Sequence, residues 1–329
     1  MKSYAPHMIS HRSIWNANII LIAYGVLTCT LPYCYVRQPH CVNAQHCRQW
    51  VWTKLHTRLT IESYIVHATT IHYTLGTHPV TGTGLEVSDE QLDEALSGSV
   101  SEIVFDDAGK EAVAHLLDGL AETEFAQENL DTLLSSPHPP EDWRVGEALA
   151  ESYLSASQDC FFPWPDSRDE RKRGSSLPGA DLVGFQQESD GDRFAFGEVK
   201  TSSEASYPPG AAYGRHGLKK QIEDLRDSQE IRNGLVLYLG HRAENTHWQD
   251  RFRSAAARYL RNTCDVRIFG ILVRDVLPHE DDLRTRVQAL LPDCPDQMVI
   301  KLIAIYLPQN SIATLSERVV SQRENGGAT

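Results

Sequence analysis

The chain lacks several things, and each absence narrows what it can be. It lacks a basic balance: 31 Lys and Arg stand against 44 Asp and Glu, a net charge of −13. That argues against a protein that coats nucleic acid generally, though not against a local basic groove. No Cys-x-x-Cys pair occurs among the seven cysteines, which argues against a zinc-finger framework even where Cys29, Cys34, Cys41 and Cys47 lie near His40 and His46. The remaining Cys160, Cys264 and Cys294 are scattered, as reduced core residues are. No internal repeat is evident, which sets aside solenoids and propellers. Length (329 residues), 41% hydrophobic and 23% charged residues are those of a globular protein of one or two domains.

Acid is scarce in one place. Residues 1–80 hold six Lys/Arg and a single acid, Glu62, a balance of +5 that leaves −18 for the rest. They also hold eight of the 14 His. Such a break has three readings: a non-native or disordered extension, a membrane anchor, or a folded accessory piece. Residues 13–36 carry no charge and have the length of a membrane span, weakened by Asn16, Asn18 and Pro32.

Beyond residue 80 the pattern alternates. Ser88, with Gln91 three residues on, reads as a capped helix start. Helical periodicity continues over 109–119 and 122–134, and the run Ser135-Ser136-Pro137-His138-Pro139-Pro140 breaks it. Helices are expected over 142–157, 218–230, 247–261 and 282–291. Strands are expected near 159–164, 234–240, 266–273 and 299–307, with a polar tail over 311–329. The organisation is then 1–80 extension, 81–140 helical region, 141–310 α/β domain with a central mixed sheet flanked by helices, and 311–329 tail.

The most informative stretch runs from Leu177 to Ser202. Two apolar segments flank a turn within Gln186–Arg193, a hairpin signal. The first opens with Asp181; the second ends Glu198-Val199-Lys200. Side chains alternate along a strand, so Glu198 and Lys200 share a face, and Asp181 meets them if the strands pair. Two carboxylates and a lysine on rigid strands suit a hard divalent cation and an activated water. The bland alternative is an ordinary surface cluster in which Asp181 and Glu198 pair with Lys200 and Arg193.

The ordered set of Glu147 on a helix, Gly179-x-Asp181 at a strand start, Glu198-x-Lys200 at the next strand's end, then a helix and an apolar run, resembles the PD-(D/E)xK nuclease superfamily over about residues 142–275. Two departures stand out: Pro178 is separated from Asp181 by Gly179-Ala180, and no tyrosine lies four residues after Gln221. The resemblance implies a restriction-endonuclease-like fold and Mg²⁺ (or Mn²⁺) held by Asp181, Glu198 and the backbone carbonyl of Val199. Glu147 would hold a second metal or a water of the first, with Glu151 its substitute one turn on. Lys200 would orient or deprotonate the attacking water. Arg215, Lys219, Lys220 and Gln221, with Lys172 from the Arg168–Arg173 loop, are the candidates for nucleic-acid contact. The function so implied is a cytoplasmic Mg²⁺-dependent endonuclease acting on DNA, in defence against phage or other foreign DNA, with a helicase or ATPase partner supplying targeting. The alternatives are a catalytically silent nucleic-acid-binding or protein-interaction module on the same fold, and a membrane-anchored sensor that needs residues 13–36.

Overall fold

The computed structural model describes residues 70–135, 138–169, 179–214 and 216–326. Residues 13–36, Lys172 and Arg215 lie outside them, and so do the expectations placed there. Seven strands build one mixed sheet: β1 (Thr70–Thr77), β2 (Val80–Glu86), β3 (Cys160–Phe161), β4 (Leu182–Glu188), β5 (Gly191–Ser202), β6 (Val266–Arg274) and β7 (Val299–Tyr306). Their order is β1-β2-β7-β6-β5-β4-β3. The four central strands run parallel, β2 with β7, β7 with β6 and β6 with β5. Antiparallel strands close both edges.

Helices cover both faces. They are α1 (Asp89–Ser97), α2 (Ser99–Val104), α3 (Asp107–Leu116), α4 (Glu124–Leu134), α5 (Asp142–Ser157), α6 (Leu218–Asp227), α7 (Gln229–Ala243), α8 (Gln249–Tyr259), α9 (Arg284–Leu290) and α10 (Leu315–Gly326). Strand alternation sorts the core into two layers. Phe194 and Phe196 of β5 pack with Ile222, Leu225, Leu239 and Trp248 from the α6–α8 side. Ala195 and Val199 pack with Leu92, Leu96, Val100, Leu149 and Val319, from α1, α2, α5 and α10.

Ser88 caps α1 through the full reciprocal box with Gln91. The hairpin of β4 and β5 forms in the expected place, with a tighter turn: Glu188 already pairs with Gly191, whose φ of 121° a side chain would strain. The coarse α/β class with a mixed sheet flanked by helices therefore holds, and four expectations need correcting.

The apolar run 234–240 is not a strand but part of α7. Ser228 caps that helix, and Arg232, Leu235, Leu239 and Ala243 bury at helical spacing while Leu237 is exposed. A short apolar run does not by itself distinguish buried strand from buried helix. Residues 70–80 do not belong to an extension: they supply β1 and the start of β2, and Val80 is fully buried. An edge strand whose side chains mostly face solvent has the polar, His-containing composition that set this stretch apart. The helical region after it is not separate, since Leu92, Leu96 and Val100 share a core with α5. Nor is 311–329 simply a tail, because α10 buries Leu315 and Val319 and ties Arg318 to Asp93 at 2.8 Å.

Candidate active site

The register of β4 and β5 pairs Leu182 with Gly197, which sets Asp181 opposite Glu198. Residues opposite one another in an antiparallel ladder project to the same face. Asp181 is delivered there by a turn at Gly179, whose φ is 133° and where a Cβ would press against Leu235 at 2.8 Å. Asp181 Oδ2 accepts the Val199 amide at 2.8 Å. A strand residue's N–H and C=O point to the same neighbouring strand, so the Val199 carbonyl faces the same edge.

Glu198 is 1% exposed, and its Oε1 accepts Lys200 Nζ at 2.5 Å. Its Oε2 is buried: ionised, it finds no donor, and protonated, it hydrogen-bonds with Asp181. Burial, then the neighbouring Asp181 charge, pushes the Glu198 carboxyl up to about 8. Lys200 is raised instead: burial acts against its charge, but Glu198, Asp181 and, more weakly, Glu147 outweigh it. With both carboxyls ionised the site would hold more negative charge than its lysine balances, and Glu198 keeps its proton up to about 8 for that reason as well as for its burial. Asp181, Glu198 and Lys200 are brought together as the hairpin signal implied, and Arg193 is not with them. It lies at the other end of β5, bound to Asp190, Asp265 and Glu188 at 2.7, 2.7 and 2.9 Å.

Glu147 reaches the site's surroundings from α5, on the opposite face of the sheet. That helix packs close because residue 146 is glycine: a Cβ there would fall 2.1 Å from Thr201 Oγ1. Glu147 pairs with Arg144 at 3.8 Å. Among the described residues no group of three or more His, Cys, Asp or Glu is close enough to hold a metal ion, so Glu147 does not complete a three-acid set with Asp181 and Glu198. The donors that fit a divalent cation are those two carboxylates and the Val199 carbonyl. Mg²⁺ is compatible with so short a set, because it keeps several waters and binds through one or two carboxylates. The buried Glu198 Oε2, without a donor when ionised, is the structural observation that favours such an ion.

The basic candidates fare differently. Lys219 is half-buried and Lys220 exposed, and they pair along α6 with Glu223 and Asp224. Arg168 is bound to Asp106 and so is not a loose loop cation. Gln221 lies on the buried side of α6 with its Oε1 unpartnered. That helix sits over the site's strand: Ile222 comes within 3.1 Å of a Cβ built on Gly270, the β6 neighbour of Glu198.

A cleft of about 160 Å³ opens beside Asp181, lined also by Trp143, Glu147, Glu151, Phe162 and Trp164. Sequence reasoning used Glu147 and missed the aromatics. Their signal was a spacing one, since Trp143 stands one helical turn before Glu147. Neither a scan against family models nor a search of curated proteins finds a match for this chain. Among the described residues no helix is long and apolar enough to cross a membrane.

Proposed function

We propose that the chain is a metal-dependent phosphodiesterase acting on nucleic acid, a nuclease of the PD-(D/E)xK kind, with DNA as the first substrate to test. One observation supports it above the others: Asp181, Glu198 and Lys200 converge at the end of β5 with a buried carboxylate oxygen that has no donor when ionised. Asp181, Glu198 and the Val199 carbonyl would hold Mg²⁺ or Mn²⁺, which supplies positive charge to the phosphoryl oxygens as they gain negative charge. Lys200, hydrogen-bonded to Glu198 and held charged, would orient the attacking water through its ammonium. The Val199 amide holds Asp181 in place. A role in defence against foreign DNA, a helicase or ATPase partner and a cytoplasmic location belong to the resemblance and remain part of this reading.

The test uses the full chain, since starting at residue 81 would remove β1 and Val80. Supercoiled plasmid is incubated with Mg²⁺ or Mn²⁺, beside Asp181→Ala and Lys200→Ala. Nicking or linearisation by the parent alone is expected, and equal activity in all three would sink the assignment. A second reading, a silent binding module, is favoured by the closed Lys200–Glu198 pair. Its signature is retained plasmid binding without cleavage in either metal.

A further inference from the structure

The cleft beside Asp181 is lined by acidic and aromatic side chains, with Arg144 among them. Glu147 and Glu151 lie a turn apart on α5, and Trp143 precedes them on the same helix. Phe162, which is buried, and Trp164 line it as well. The two indoles are not equivalent. Trp164 is committed: its Nε1 donates to Asp169 at 2.9 Å, and the guanidinium groups of Arg168 and Arg242 lie 5.0 and 5.3 Å from its ring. Trp143 has the Arg144 guanidinium 4.8 Å from its ring and is 38% exposed at the mouth of the cleft. An exposed large aromatic beside a concave site, backed by a guanidinium, presents a π-face to a flat ligand.

Charge points the same way. A duplex-binding surface gains affinity by neutralising several phosphates with Lys and Arg. Among the described residues Arg168, Lys219 and Lys220 are already matched with Asp106, Glu223 and Asp224, and in the cleft Arg144 is paired with Glu147. Binding to such a surface has to draw more on stacking than on counterion release, which is how single strands are held. A cleft of about 160 Å³ has room for a ring-sized group and none for a double helix.

We propose that this cleft is a stacking slot for one unpaired nucleobase, with Trp143 as its platform, so that single-stranded or frayed nucleic acid is the substrate class of the adjoining carboxylates. The proposal rests on the phosphodiesterase reading for its biological meaning, but its test does not. Binding of a fluorescently labelled single strand, the matching duplex and the same strand with abasic positions is measured on the full chain in Ca²⁺, alongside quenching of tryptophan fluorescence. The single strand is expected to bind at least tenfold more tightly than the duplex and the abasic strand. Trp143→Ala should remove that advantage and most of the quenching, and Trp143→Phe should restore the affinity. Equal affinity for strand and duplex, no effect of Trp143→Ala, or no binding to any of the three would each overturn the slot. Strong, Trp143-dependent binding without cleavage in Mg²⁺ or Mn²⁺ would uphold the slot and sink the phosphodiesterase reading instead.

Discussion

The two ends of β5 carry the same kinds of side chain and treat them in opposite ways. At the hairpin tip Arg193 is shared among Glu188, Asp190 and Asp265, Arg258 reaches Asp190 at 2.8 Å, and Arg267 reaches Glu188 at 2.5 Å. The hydrogen bonds from Arg193 hold the Asp190 carboxyl well below the usual range. At the other end, well along the strand from Gly191, a buried carboxylate faces another with one lysine between them, and Glu198 is pushed up to about 8. One end is matched and the other is left short of positive charge. A carboxylate kept buried without a full set of partners is costly to the fold, and such sites are where function is to be sought. The difference takes Arg193 out of the surface-cluster alternative, because that arginine serves the tip, and leaves only its Lys200–Glu198 pair.

The largest expected effect separates the ends by what they do. Lys200→Ala should lower phosphodiester cleavage by about 10²-fold or more, as loss of the group that orients the attacking water does, while leaving the cooperative thermal transition in place. Arg193→Ala should do the reverse. It takes the central arginine from a network in which Arg267 still holds Glu188 and Arg258 and Arg267 still lie near Asp265, and should cost about 2 kcal/mol, less than the 3–5 of a fully buried pair, with the Tm lower by roughly 4–8 °C. Cleavage per folded molecule should persist. Paired activity and melting curves on both variants check this, and a swap of the two phenotypes would break the comparison.

A smaller effect follows from the sign of the Glu198 shift. Its folded value, about 8, lies above its ordinary 4.5, so the native state binds the proton more tightly than the unfolded chain. Without metal, stability should therefore fall as pH rises from about 4.5 to 8. The Lys200 shift is upward from 10.5 and acts only above that window. Glu198→Gln should flatten the slope, leaving the variant a few degrees more stable than the parent at pH 8. Added Mg²⁺ should recover the parent's deficit at pH 8, by up to about 2.7 kcal/mol at a hundredfold excess over Kd, and should do little for Glu198→Gln. Melting curves at pH 5 and 8, with Mg²⁺ and with chelator, decide it; a parent curve that is flat in pH would count against the buried, under-compensated carboxylate.

What the sequence made readable was local. Alternation along a strand put Glu198 and Lys200 on one face, and the polar turn at Asp190-Gly191 joined that strand to the one opened by Asp181. Both survive because register and pleat follow from short-range chemistry. The apolar run in α7 was misread because its flanking cap, Ser228, lay outside the run and five apolar residues do not declare a period. Edge strand β1 was passed over because a strand that buries little has little hydrophobic signal. The matched state of Arg193, Arg168 and Asp190 was not readable, since each partner but the nearest comes from far along the chain. The aromatic cleft has the same origin: Trp143, Trp164 and Asp181 meet only once α5 and β4 are in place.

The smallest expected effect concerns α6, where Lys219 and Lys220 were candidates for binding phosphate and are found paired with Glu223 and Asp224 one turn on. Both pairs are at least a quarter exposed, so solvent screens them, each contributes little and each trades partners easily. Replacing both lysines with alanine should change the urea midpoint very little. The binding readout is sharper. Each lysine that neutralises a phosphate of a single strand adds about 0.7 to the slope of log affinity against log salt, and its removal takes that amount away. If stacking on Trp143 dominates, the double variant should keep the parental slope and most of its affinity. A slope that drops by about 1.4, twice the single-phosphate value, would instead show that both lysines leave their carboxylates for phosphate. The site end of β5 would then draw its missing positive charge from α6 as well as from a metal ion.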